Sequence, residues 1–376
     1  MNLKYFLCRK GDDEFLILLP LDSNSYQEKI TILFDLLKNL CKKNYTLTIP
    51  EKDQTINVNY SYHAGISIFP EDIDASIKEL NNPNLIIETL IKKAESALFN
   101  AKKDNEFTYE FYQKQLQEKM KNFLFVKQNI YNAIEKKEFQ MYYQPYFSLN
   151  ERSIYGAEAL IRWFHQGEMI SPAKFIPYLE ETGQLIEVEN IIFDLVFVFY
   201  KKLQQNNKLI SISINLSPAT LYKSNFINKI KQKIKNYEID PSYLVFEITE
   251  STLIKDYNQV IEIIKELNKL NIHFALDDFG SGYSSLAYIE KLPISILKID
   301  RQLIKELSIN DKKIIIIEAI IQLAKKLNFK VVAEGIEKEI ELDFLKQLQC
   351  DYAQGFLLGK PMPETELFKI LKESTP

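Results

Sequence analysis

The chain has 376 residues, 46% of them hydrophobic and 26% charged, with a formal net charge of −4. That length predicts two domains rather than one, and the composition describes a globular protein able to bury a full core. The mild acidity gives no electrostatic case for binding a nucleic-acid polymer or an acidic membrane surface, and no run approaches the roughly 18 apolar residues of a membrane span. The N-terminal stretch MNLKYFLCRKGDDEF lacks the apolar core of a signal peptide. Cys8, Cys41 and Cys350 stand far apart with no CxxC pair, which predicts buried thiols in a reducing compartment and hence a cytoplasmic protein.

In chain order, EFLILLP (14–20) predicts a strand, and a helical stretch follows from about Tyr26 to Lys43. TINVNYSYHAGISIF (55–69) alternates like one long strand or two. LIIETLIKKAESALFNAKKD (85–104) carries apolar residues at three- and four-residue spacing, the mark of an amphipathic helix. Residues 1–112 therefore read as a modest α+β domain. A long helical stretch from Phe111 to Lys137, with apolar Leu116, Met120, Phe123 and Val126, supplies a connecting helix over 113–137. It is either a passive spacer or a lever between the two halves.

Residues 138–376 read differently. Apolar runs there end in a carboxylate, an amide or a lysine: SISIN at Asn215, YLVFE at Glu247, HFALDD at Asp277 and Asp278, ISILK at Lys298, and KVVAE at Glu334. These markers lie 21 to 36 residues apart, about one strand plus one helix. Further strands are predicted at 138–149, 153–165 and 352–356, with helices between the strands. The whole is the size of a (β/α)8 barrel. An open doubly wound sheet is the alternative, but polar residues at nearly every strand end favour closure, because an open sheet gathers its ligand at one switch point. Of the 10 glycines, those from Gly156 onward lie mostly beside these strand ends, as expected where backbone and ligand approach closely.

Carboxylates brought to one rim repel each other unless cations sit among them. Glu158, in the tripeptide Glu158-Ala159-Leu160, joins Asn215, Glu247 and Asp277 as hard oxygen donors. Such donors suit magnesium or manganese and are poor for zinc or copper. Asn215 alone, ahead of Ser217 and Pro218, would read as a helix cap; the coincidence of ligands favours coordination. Asp277 and Asp278 are neighbours, and on a regular strand they would face opposite ways. Both reach one site only if the chain bends, and the FGSG that follows supplies the freedom. Asp277 would then bridge two ions, with Asp278 and Glu334 completing the second; otherwise Asp278 caps the next helix. Ions roughly 3.5–4 Å apart suit in-line phosphoryl displacement. Lys298 inside a strand is costly unless paired. Among carboxylates it stays charged and orients water or neutralises phosphate, the alternative being a solvated strand end. Arg162 has the forked donors of a phosphate clamp, and Glu250 is placed to hold the FGSG loop through backbone N–H groups. His63, His165 and His273 fit no pair spacing and read as structural.

From about residue 120 onward the chain resembles the EAL domain, the bacterial cyclic di-GMP phosphodiesterase. The matching segments are YYQPYFSL, GAEALIRW, ISPAKFIPYLEETG, INLSP, FEITES, ALDDFGSGYSSL, LKID, VVAEGIE and AQGFLLGKPMP. The resemblance implies a TIM-like barrel that hydrolyses one phosphodiester bond with two Mg2+ or Mn2+ ions, giving linear pGpG. It implies Glu158, Asn215, Glu247 and Asp277 as ligands of one ion, Asp277, Asp278 and Glu334 as ligands of the other, and Lys298 beside the attacking water. Arg162, Glu181, Glu337 and Gln354 match positions near the substrate, and Glu250 matches the support of the loop after the aspartate pair. No position in this set departs from the family pattern. Inhibition by Ca2+, dimerisation through the barrel and a bacterial cytoplasmic location are further expectations. A receptor that binds the dinucleotide without turnover, and a scaffold of relic domains, are the competing functions.

The first domain resembles the latter half of a GGDEF (diguanylate cyclase) domain, through Gly11-Asp12-Asp13-Glu14-Phe15, AGISIFPED (64–72) and AESALFNAKK (94–103). Asp12 stands where that family has a second glycine, and a carboxylate there repels phosphate. The family's early segment and an RxxD motif are missing. The expectation is a truncated, degenerate domain without cyclase activity, serving as a regulator, a dimerisation surface or a remnant.

Overall fold

The structure is a computed structural model that describes residues 5–11, 13–20, 30–31, 34–35, 45–49, 54–58, 62–79, 82–102, 108–151, 153–280, 289–305 and 311–373. Asp12, Cys41, most of the predicted helix at 26–43 and residues 281–288 after the aspartate pair lie outside the described residues. The chain divides into two units, Met1–Leu124 and Phe125–Pro376.

The first unit holds three two-stranded pairings. β1 (Phe6–Arg9) and β2 (Phe15–Leu18) run antiparallel, as do β3 (Tyr45–Ile49) and β4 (Gln54–Val58), whereas β5 (His63–Ile66) and β6 (Thr108–Phe111) run parallel. The 55–69 run is thus divided between two strands. Helix Pro83–Ala101 starts on Asn82, whose side chain accepts from the Asn84 and Leu85 backbone N–H groups. It crosses β5 at Gly65, where a Cβ would stand 1.9 Å from the Ala94 carbonyl oxygen. Only glycine permits that approach. Cys350 is buried, as the sequence predicts, but Cys8 is exposed. The reason is its place on β1, whose residues are exposed on both faces.

Helix Lys114–Glu135 spans the division between the units. Its second half belongs to the second unit, with Val126, Ile130 and Ala133 fully buried and the Phe125 ring 5.5 Å from Trp163 and 5.6 Å from His165. Glu138 accepts from the Trp163 indole at 2.8 Å and pairs with His165 at 3.0 Å.

The second unit is a closed barrel of eight strands: β7 (Phe139–Ser148), β8 (Ile154–His165), β10 (Ser211–Asn215), β11 (Leu244–Thr249), β12 (His273–Phe279), β13 (Ile296–Ile299), β14 (Lys330–Ala333) and β15 (Tyr352–Gln354). Strands β8 through β15 pair in parallel, in that order, while β7 closes the ring antiparallel to both β8 and β15. An all-parallel (β/α)8 order is therefore broken at the first strand. The cause is local, since the short link between Ser148 and Ile154 makes a hairpin, and a parallel neighbour needs a crossover of a dozen residues or more. Short strands β9 (Glu168–Ile170) and β16 (Met362–Pro363) extend the sheet beside β8 and β7.

Inside the barrel, Tyr146, Val245, Ala275, Ile296, Val332 and Tyr352 form one buried cluster. Gly156 leaves room for it, because a Cβ there would lie 2.3 Å from the Tyr146 ring. Strand side chains repeat every second residue, so the layer above this floor is fixed by arithmetic. Two positions on from Gly156, Val245, Ala275, Ile296, Val332 and Tyr352 come Glu158, Glu247, Asp277, Lys298, Glu334 and Gln354. The apolar floor and the polar layer are one periodic pattern.

Candidate active site

Lys298 is the centre of the polar layer. Its side chain is 3% exposed, and Nζ lies 2.7 Å from Glu334, 2.8 Å from Glu247, 3.3 Å from Asp277 and 3.4 Å from Glu158. Burial alone would lower the lysine pKa, but the four carboxylates outweigh it and hold the ammonium well above its ordinary value. Lys298 is charged.

A single cation does not balance so many acids. Glu158 is favourably held: burial opposes its charge, but Lys298, Gln354 and Asn215 together keep it below the usual carboxylate range. Its Oε1 accepts from Asn215 Nδ2 at 2.8 Å and its Oε2 from Gln354 Nε2 at 2.9 Å. Glu247 is pushed the other way, well above the ordinary range, by burial and by Glu158 and Asp277, despite Lys298. Burial likewise pushes Glu334 up to about 8, with Asp277 and Glu158 adding to it against Lys298. The layer crowds more carboxyls than one ammonium can keep ionised, so some hold protons that a divalent cation would displace.

The adjacent aspartates meet the geometric condition for sharing a site. The β12–β13 register shifts between Leu276 and Phe279, and Asp278 takes a left-handed φ of 56°. Short polar residues tolerate that conformation best. This bend lets Asp277, Asp278 and Glu334 each offer an oxygen within 4.8 Å of the others. Burial, Asp277 and Asp300 push Asp278 up to about 6. Three hard oxygens at that spacing, beside an acidic surplus, fit a divalent cation such as magnesium or manganese.

Glu250 lies beside the bend, and its Oε1 accepts the Gly280 backbone N–H at 3.2 Å. Gln354 is 3% exposed, and its Oε1 is buried without a hydrogen-bond partner among the described residues, an acceptor left for an incoming donor. Arg162 sits half-buried on β8, donating to the Ile161 carbonyl at 2.8 Å with its guanidinium 5.5 Å from the Tyr142 ring centre. Glu181, near the end of helix Pro172–Thr182, and Glu337, after β14, are both exposed. The structure thus gathers Glu158, Asn215, Glu247, Asp277, Lys298, Glu334 and Gln354 into one network, with Asp278 at its edge. Arg162, Glu181 and Glu337 form no part of the Lys298 ion-pair set.

One acidic neighbour escaped the sequence reading. Asp300 is 8% exposed, caps helix Arg301–Ile304 by accepting from Gln302 N–H at 2.7 Å, and helps raise Asp278. Its place two residues beyond Lys298 was the available signal.

Comparison with known proteins agrees with this geometry. The sequence profile of the EAL domain matches residues 127–361. The chain is 30% identical over 367 residues to the bifunctional diguanylate cyclase/cyclic di-GMP phosphodiesterase MucR of Pseudomonas aeruginosa, covering 96% of this chain and 50% of that protein. It is 28% identical over 359 residues to the cyclic di-GMP phosphodiesterase PdeR of Escherichia coli, covering 95% of this chain and 51% of that protein. The chain therefore spans about half the length of these relatives. Among solved structures, the cyclic di-GMP complex of the MucR phosphodiesterase superposes with a TM-score of 0.61 at 35% identity, over 64% of this chain and 99% of that one. Profile, sequence and barrel agree: the chain belongs to the EAL domain family.

Proposed function

We propose that the barrel unit is a divalent-metal-dependent phosphodiesterase that hydrolyses cyclic di-GMP to linear pGpG. The observation that carries this reading is the buried Lys298 with four carboxylates within 3.4 Å, three from separate strands and Glu334 from the residue just after β14, and a fifth beside them at the Asp278 bend. Glu158, Asn215, Glu247 and Asp277 would hold one Mg2+ or Mn2+ ion, and Asp277, Asp278 and Glu334 a second. When bound, the ions supply Lewis acidity at the phosphodiester.

The side chains do the rest. Lys298 keeps the carboxylates converged and donates toward the attacking water. Arg162, already oriented by its own strand carbonyl and the Tyr142 face, clamps phosphate, while Glu181, Glu337 and the unpaired Gln354 acceptor contact the nucleotide. Glu250 steadies the backbone at Gly280. One water is consumed, one P–O3′ bond breaks, and a 5′-phosphate and a 3′-hydroxyl result. Ca2+, which accepts looser and more numerous ligands, inhibits. The first unit is a degenerate GGDEF-like domain without cyclase activity, and the protein acts in the bacterial cytoplasm as a homodimer through the barrel.

The test is turnover. Purified full chain with cyclic di-GMP and Mg2+ or Mn2+ should yield pGpG by chromatography. Glu158→Ala should reduce the rate by more than the ~100-fold that bounds residues acting one layer out from a metal. Tight nucleotide binding without product would replace the enzyme by a receptor.

A further inference from the structure

Glu189 is a buried carboxylate for which the reaction described above has no use. It lies inside helix Leu185–Gln205, 3% exposed. One carboxylate oxygen accepts the Ser217 backbone N–H at 2.7 Å and the other accepts the Ser217 hydroxyl at 2.9 Å. Both of these donors are neutral and belong to Ser217, and the neutral Thr220 hydroxyl lies close enough to favour the charged form as well. Burial pushes the carboxyl above its ordinary value, so the position is costly to maintain.

What lies beside Ser217 accounts for that cost. Asn215 is the last residue of β10, two positions upstream, and is exposed, so packing does not hold its side chain. Its Nδ2 donates to Glu158, which leaves the amide oxygen as its ligand atom. Two consecutive anchors follow it. Leu216 N–H donates to the Glu247 carbonyl at 2.9 Å, and Ser217 is clamped by Glu189. Ser217 Oγ then accepts the Thr220 N–H at 3.2 Å and starts helix Pro218–Leu221.

We infer that Glu189 is a positioning residue for Asn215: by gripping both donors of Ser217 it fixes the turn that aims the Asn215 amide into the cation site. The inference rests on the metal reading above and adds to it a group one layer behind the ligands.

The experiment measures Mn2+ binding to the full chain without substrate, by the electron paramagnetic resonance of free Mn2+. Glu189→Leu should weaken Mn2+ binding by about tenfold, the scale of groups that orient metal ligands. Glu189→Gln retains an oxygen for the Ser217 N–H and a donor for its hydroxyl oxygen, and should stay within about threefold of the parent. The double variant Glu189→Leu/Asn215→Ala should bind no worse than Asn215→Ala alone, because both changes act through one group. Should the leucine variant fail to fold, Ser217→Ala, which removes only the hydroxyl contact, should still weaken binding measurably. Parental affinity in Glu189→Leu, or in Ser217→Ala where that variant stands in, alongside a weakened Asn215→Ala overturns the positioning role. So does a double variant showing the two losses added. Parental affinity in Asn215→Ala overturns the metal reading and this inference together.

Discussion

The two units each bring acidic residues to lysines, with opposite results. In the first, Glu14 of the GDDEF segment lies in the β1–β2 turn, 40% exposed, with Lys10 at 3.6 Å and Lys102 at 3.7 Å. The turn closes through Lys10 N–H and Gly11 N–H on the Glu14 carbonyl, all at the surface. In the second, Lys298 is enclosed by carboxylates from three separate strands and from Glu334, just past a fourth. Water screens the first arrangement and leaves it worth little. Burial magnifies the second, so the same residue types become a centre that shifts proton affinities. Depth and convergence separate a site from a signature.

The largest effect that could break this contrast is at Lys298. Lys298→Met should abolish hydrolysis and cost the metal-free protein about 3–5 kcal/mol, the usual scale for stranding one side of a buried ion pair. Mn2+ should restore much of that stability in urea melts, since it replaces the missing positive charge. A metal-free variant as stable as the parent would mean that the carboxylates do not depend on the ammonium.

A middle-sized effect concerns pH. Glu334 at about 8 and Asp278 at about 6 both lie above the ordinary values of 4.5 and 3.8. A carboxyl raised on folding contributes stability that is complete below its unfolded value and lost as pH rises through the folded one. Glu158 is shifted downward, so it acts only in the acid range below that window. Metal-free protein should therefore lose stability between about pH 5 and 8.5. Mn2+ affinity should rise over the same interval, because protons must leave the ligands. Urea midpoints in chelator that rise with pH would contradict the assignment.

The smallest effect sharpens the contrast from the other side. Glu14→Gln should leave pGpG formation within about twofold and change stability by no more than about 0.5 kcal/mol, as for other exposed pairs. A large loss of turnover would give the first unit a part in the reaction.

The sequence carried the polar layer well because strand alternation is strict. Once Val245 and Ile296 belong to the floor, Glu247 and Lys298 must stand above it. The same rule would have reached Asp300. What alternation cannot encode is its own interruption, and the bend at Asp278 depends on a register shift against β13 that appears only when the strands meet. Partnerships between distant segments were equally hidden. Gln354 meets Glu158 across 196 positions, and Glu189 meets Ser217 from a helix whose pattern announces only an apolar face. Cys8 misled because buried cysteine is the common case, whereas its hairpin offers no cover.

The reversed direction of β7 has a consequence for how the barrel is wired. In an all-parallel barrel the polypeptide arrives at the end remote from the chemistry. Here Phe139 pairs with Trp163 and Gln144 with Glu158, so the strand begins at the C-terminal ends of the parallel strands and runs down toward Tyr146 on the floor. Residues 125–135, with Phe125 packed on Trp163 and His165, therefore hand the chain into the barrel at the end that carries the polar layer. Trp163 and His165, against which Phe125 of that helix packs, stand on the same strand as Glu158 and Arg162.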